Sequence, residues 1–167
     1  LEKIINFRDK FKPEIIIAVG GGSVLDYAKI SNVIWLKKDL TNNIKNSVQI
    51  VGNFCRLIAI PTTAGSGSEV TSTAVIYIKK IKYSVEGKYI RPNNFLLAPN
   101  LVRRANKKVL IASALDCTSQ ALESILSKKS NSKSLSFSLK SLKYIKLYLI
   151  KFLINPNNLK NINGMCI

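Results

Sequence analysis

The sequence predicts an α/β layer followed by an all-helical part. Three observations carry that reading. Ile15-Ile16-Ile17-Ala18-Val19 is a continuous apolar, mostly β-branched run closed by Gly20-Gly21-Gly22. A second apolar run, Leu57 to Ile60, ends in Pro61 and a loop of small residues, Thr62 to Ser68. Beyond Pro99 the apolar residues recur at helical spacing only, near 113–127 and 135–153.

Each element follows from its own pattern. Leu1, Ile4, Ile5 and Phe11 fit a short amphipathic helix that Pro13 ends. The 15–19 run reads as a strand buried on both faces, as in a parallel sheet. Ser23 sits where a helix cap belongs, and Asp26 three residues later can return the bond, which predicts a capping box. Val24, Tyr27, Ala28, Ser31, Ile34 and Trp35 give that helix its expected buried stripe. Residues 37–54, with Asn42, Asn43 and Gly52, read as a connection. Ala74–Ile78 and Phe95–Ala98 are further strands by composition. The Ser/Lys-rich stretch 128–141 joins the two late helices and begins the second. There Leu135, Leu139, Leu142, Ile145, Leu149 and Phe152 point inward, with Lys140, Lys143 and Lys146 outward. The expected division is 1–104 for the α/β part and 105–167 for the helical part.

Composition sets limits on chemistry. With 47% apolar residues in 167, the chain has material for a core. Lys and Arg total 26 against 9 acids, a net charge of +17. The lysines are scattered among asparagines and isoleucines, so the charge reads as compositional and no nucleic-acid partner is expected. Histidine is absent, which excludes a Ser-His-Asp triad, a Cys-His dyad or a histidine metal cage built from this chain alone. Three cysteines without a C-x-x-C point to a reducing, cytoplasmic setting. No uninterrupted run of about 18 apolar residues exists, so no membrane-spanning helix is expected. The chain opens at Leu1 inside a helix-like run, without a leader, and stops at Asn163–Ile167 without a polar tail; both ends look cut.

Two loops have the composition of ligand sites. Glycines leaving a strand let backbone approach a ligand, and the helix start beyond them suits a pyrophosphate. The G-x-G-x-x-G spacing fails, because Leu25 stands where a third glycine would be, and a plain strand-to-helix turn is the alternative. Pro61-Thr62-Thr63-Ala64-Gly65-Ser66-Gly67-Ser68 offers hydroxyls and backbone without bulk, fit for ribose or phosphate oxygens. A third group, Asp116, Gln120 and Glu123, shares one helix face, opposite Leu115, Leu122, Ile125 and Leu126. Spacing alone favours Asp116 as a helix cap with Gln120 and Glu123 solvated over a pair of metal ligands.

In this order, Gly20–Lys29 (GGGSVLDYAK) and Pro61–Thr71 (PTTAGSGSEVT) closely resemble the iron-containing (group III) alcohol dehydrogenase family. The Asp116 segment, with Ala121 and Glu123, is similar to that family's metal-site helix. The resemblance runs over nearly the whole chain. It implies a Rossmann-like dinucleotide-binding domain and part of an all-α metal-binding domain. It also implies NAD(P)-linked interconversion of a small alcohol and aldehyde at Fe(II) or Zn(II), with a homodimer among the expected assemblies.

Carried over by position, Gly21, Gly22, Ser23 and Asp26 would hold the pyrophosphate region, and Thr62, Thr63 and Ser66 would meet the cofactor. Lys82 would reach its ribose, and Asp116 and Gln120 would ligate the metal. The chain departs from the family at Gln120, where most members have histidine, and at Ala98, where an aspartate is usual. The wording around Ser119–Ser124 and Lys82–Ser84 is similar to the phosphonoacetaldehyde reductase branch. The family's two remaining histidine ligands lie beyond a segment resembling Asn163–Ile167, so the chain is expected to be a central fragment. The competing expectation is a non-catalytic remnant of such an enzyme.

Overall fold

A computed structural model describes residues 1–34, 44, 50, 52–155 and 158–166. Trp35, Asn42 and Asn43 lie outside the described residues. The chain divides into two compact units, Leu1–Pro61 with Gly67–Leu96, and Thr62–Ser66 with Leu97–Ile167.

The first unit opens with α1 (Glu2–Phe11), which stops at Lys12 in the left-handed region (φ 50°, ψ 58°) just before Pro13. Its buried residues are Ile5 and Arg8, whereas Ile4 and Phe11 are exposed. Next come β1 (Ile15–Gly20), α2 (Gly22–Val33) and β2 (Arg56–Pro61). β1 and β2 pair in parallel from Ile15↔Arg56 to Gly20↔Pro61, so the glycine turn and Pro61 sit at the same end of the sheet. β5 (Asn94–Phe95) adds to the far side of β2, giving the order β1-β2-β5. The strand expected over 95–98 is thus only two residues long, because Pro99 already starts a helix.

Burial of β1 on both faces does not occur. Ala18 joins Leu25, Leu57 and Ala59 in a core beneath α2. Ile15, Ile17 and Val19, on the other face, are about half exposed or more. The reason is that α2 covers one face only. The opposite face opens, with Ile4, Phe7 and Phe11, on an apolar cleft of about 770 Å³.

The buried side of α2 also differs from the expected stripe. Leu25, Lys29, Ile30, Ser31, Asn32, Val33 and Ile34 are buried, Tyr27 and Ala28 are half-buried, and Val24 is exposed. Besides the sheet, α2 packs against a hairpin of β3 (Thr73–Ile78) and β4 (Ile81–Glu86), so its buried arc is wider than one stripe. Ile30, Val33, Ala74, Ile76, Val85 and Ile90 form that second core. The hairpin turns at Lys79 and Lys80, both at positive φ (48° and 68°).

The second unit holds α3 (Pro99–Val102), α4 (Lys107–Leu126), α5 (Ser132–Ile154) and α6 (Leu159–Cys166). Asn106 caps α4 by accepting from the Lys108 amide, which starts that helix earlier than the expected 113. Asn131 and Ser134 form a reciprocal capping box at the start of α5. α4 packs on α5, and α6 on α5 and α3. The core is Val102, Leu110 and Phe152, with Ala64, Ala105 and Met165 against it. Phe152 is 1% exposed, so its truncation to Ala would cost about 3–5 kcal/mol.

Several inward assignments in the helices change. On α4 the buried residues are Leu110, Ala114 and Ala121, while Leu115, Leu122 and Leu126 face out. α4 packs on α5, and the side carrying Leu110, Ala114 and Ala121 is the buried one. On α5, Phe152 is buried and Leu142, Ile145 and Leu149 are half-buried, but Leu135 and Leu139 are exposed. Lys140, Lys143 and Lys146 point to solvent as expected. By length and composition alone, α4 is also apolar enough to cross a membrane, contrary to the expectation that no helix would be. Ser113, Asp116, Thr118, Ser119, Gln120, Glu123 and Ser124 break its apolar run, but only Asp116 and Glu123 among them are charged.

Candidate functional site

β1 delivers Gly20 to the sheet end, and Gly21 enters α2 in extended conformation (φ −73°, ψ 178°). Its carbonyl accepts from the Val24 and Leu25 amides at 2.9 and 3.2 Å. No side chain caps α2, so the expected Ser23–Asp26 capping box is absent. The helix begins two residues earlier than a Ser23 cap would set it, at Gly22, and Ser23 is an exposed residue of its first turn. A β-carbon at Gly20 would lie 2.6 Å from Val24 Cβ, which keeps this corner tight. An uncapped helix start on a bare glycine backbone is the geometry that anionic oxygens favour.

Asp26 points elsewhere. Its Oδ1 accepts from Ser68 Oγ at 2.6 Å, and its Oδ2 from the Val75 amide at 3.0 Å. Lys29, one turn further on and fully buried, donates to Ser68 O (2.8 Å), Ser68 Oγ (3.2 Å), Thr71 Oγ1 (3.1 Å) and Thr73 O (2.7 Å). Its Nζ is 3.7 Å from Asp26 Oδ1. Burial pushes the Lys29 ammonium below its ordinary pKa, opposed by the charge and hydrogen bond of Asp26 and by Glu69. Lys82, on β4 opposite Tyr77, is exposed.

The hydroxyl loop divides between the units. Thr62, Thr63 and Ser66, all half-buried, cluster with the helices rather than with β2. Ala64 packs on the Val102–Leu110–Phe152 core. Gly65 adopts φ 148°, and a β-carbon there would fall 2.2 Å from the Ser113 carbonyl oxygen of α4. Glycine at 65 is therefore what lets the loop lie on α4.

Asp116 and Gln120 are exposed on α4, and Gln120 Nε2 donates to Asp116 Oδ2 at 2.9 Å. Burial and the neighbouring Asp116 charge both raise the Cys117 thiol pKa. Among the described residues there is no group of three or more His, Cys, Asp or Glu side chains that could hold a metal ion.

Gly21, Gly22, Ser23, Asp26 and Lys82 thus belong to the first unit, and Thr62, Thr63, Ser66, Asp116 and Gln120 to the second. Sequence reasoning passed over Lys29 and Ser68. Their signal was a lysine one turn after Asp26 on a helix otherwise expected to pack through apolar residues.

The iron-containing alcohol dehydrogenase family model matches residues 1–99. The chain belongs to this family. An alcohol dehydrogenase of Thermococcus barophilus is 31% identical over 159 residues, covering 89% of this chain and 41% of that protein. An NAD-dependent methanol dehydrogenase of Bacillus methanolicus is 30% identical over 157 residues, covering 91% and 41%. The structure of a sulfoacetaldehyde reductase from Bifidobacterium kashiwanohense, in complex with NAD+, superposes with a TM-score of 0.92 at 27% identity. It is matched over 99% of this chain and 45% of that one. The chain therefore spans about two-fifths of the length of the curated relatives it matches. The glycine turn leaves the first N–H groups of α2 without a side-chain cap, as a pyrophosphate's oxygens would need. One carboxylate and one amide oxygen, from Asp116 and Gln120, do not make a complete metal site.

Proposed function

We propose that this chain carries the dinucleotide-binding part of an NAD(P)-dependent alcohol dehydrogenase or aldehyde reductase. The observation that supports this most is the uncapped start of α2 behind Gly20–Gly22, in a chain of the iron-containing alcohol dehydrogenase family. Gly21, Gly22 and Ser23 hold the pyrophosphate region, Thr62, Thr63 and Ser66 contact the cofactor, and Lys82 reaches the ribose. The nicotinamide supplies or accepts the hydride when bound, and the chain binds and orients it. The substrate class is a small alcohol or aldehyde. The likeness to sulfoacetaldehyde reductase supports an aldehyde bearing an anionic group, in line with the phosphonoacetaldehyde reductase-like wording. Asp116 and Gln120 would contribute two oxygen ligands towards Fe(II) or Zn(II), and a homodimer and a cytoplasmic setting complete the reading, with no nucleic acid or membrane partner.

A second reading, a non-catalytic remnant, is favoured by the lack of histidine and of a three-ligand cluster among the described residues. Titrating the chain with NADH, followed by enhancement of nicotinamide fluorescence, tests the first reading; the absence of saturable binding defeats it. Binding without turnover of small aldehydes, with Fe(II) or Zn(II) added, selects the remnant.

A further inference from the structure

Lys29 is a fully buried cation on a helix that sheet and hairpin otherwise surround with apolar side chains. Burying an ammonium is costly unless donors and charge are matched, and here the matching is thorough. Four oxygens of residues 68–73 lie within 3.2 Å of Nζ, and the Asp26 carboxylate stands beside it. Asp26 in turn holds Ser68 Oγ and the Val75 amide. Every one of these partners lies in the segment that follows Ser66, from Ser68 to Val75. An apolar pair of the same volume would fill the space without fixing where that segment runs.

We propose that Lys29 and Asp26 form a positioning pair that fixes the exit of the Pro61–Thr71 loop on α2, and so sets cofactor affinity without touching the cofactor. The proposal rests on the dinucleotide reading above. It gives Asp26 a different task from direct contact with the pyrophosphate, since both of its oxygens are engaged within the protein. The pair ties the helix that starts at the glycine turn to the backbone emerging from the hydroxyl loop. Two segments far apart in sequence then keep a fixed relation at their inner ends. Ser68 and Thr71, both inside the PTTAGSGSEVT motif, are the loop's half of the lock.

The test uses the full chain and NADH as the probe. Dissociation constants are measured for the parent, Lys29→Met, Ser68→Ala, Thr71→Val and Thr71→Ser, below the melting temperature of each. The expected result is about tenfold weaker NADH binding for Lys29→Met and Ser68→Ala. Thr71→Val should lose about threefold and Thr71→Ser recover it, because the hydroxyl rather than the methyl accepts from Lys29. Circular dichroism must show native helix content throughout. If Lys29→Met does not fold, Ser68→Ala and the Thr71 pair decide. Variants that melt earlier yet bind NADH with parental affinity overturn the positioning role and leave the dinucleotide reading intact. A parent that binds no NADH overturns the dinucleotide reading, and the affinity role with it.

Discussion

Gln120 Nε2 donates a 2.9 Å hydrogen bond to Asp116 Oδ2, so the two oxygen-bearing side chains expected to ligate a metal are each other's partners. A metal ion bound by this pair would gain only oxygen donors. Exchanging the amide for imidazole at the same helical spacing adds a borderline nitrogen ligand. Gln120→His should therefore tighten Zn(II) binding by about tenfold, equivalent to about 1.4 kcal/mol. Isothermal titration of both chains decides; equal affinities would mean that α4 is not a metal-binding face.

Gly65 and Gly67 make a matched pair of substitutions. At Gly65 the backbone (φ 148°) and the Ser113 carbonyl both exclude a β-carbon, and Ala should cost about 3 kcal/mol. At Gly67 (φ 61°) nothing lies within 4 Å, so only the left-handed conformation penalises Ala, by about 1 kcal/mol. Urea unfolding of the two variants measures the difference, and equal losses would deny the close packing of the loop on α4.

Stability should respond to pH through Lys29. Its folded pKa lies below the ordinary 10.5, chiefly by burial, so the unfolded chain binds the proton more readily. As pH rises from the lowered folded value towards 10.5, the unfolded state holds more protons than the folded one, and stability increases. Lys29→Met removes that contribution. The gap in urea midpoint between parent and variant should move in the parent's favour with pH across the alkaline window, and a gap independent of pH would contradict it.

The Lys79-Lys80 turn carries avoidable strain, since both residues sit at positive φ (48° and 68°). Asn-Gly is the pair suited to two such positions. The double substitution Lys79→Asn with Lys80→Gly should raise stability by about 1 kcal/mol, read as a higher thermal midpoint. An unchanged or lower midpoint would show that the lysines contribute elsewhere.

The same turn shows where sequence reasoning stops. β1, α2 and β2 were legible because a β-branched run, three glycines and a proline punctuate them. β4 was not, because a Lys-Lys turn carries none of the residues that normally announce a hairpin. The glycine turn was correctly placed at the end of a strand. The inward role of Asp26 was hidden, because its partners lie 42 and 49 residues further on. Ser23 at a cap position three residues before an acid looked self-sufficient, but tertiary partners outcompeted the local bond. The expectation that β1 is buried twice assumed a second covering layer, and α2 provides only one. Helix faces on α4 were misjudged for a related reason: hydrophobicity favoured the leucines, while close helix packing favoured the alanines.

Ile15, Ile17, Val19, Phe7 and Phe11 together line the apolar cleft on the open side of β1. A further layer of polypeptide seated there would take all five side chains out of water and give the strand its second covered face.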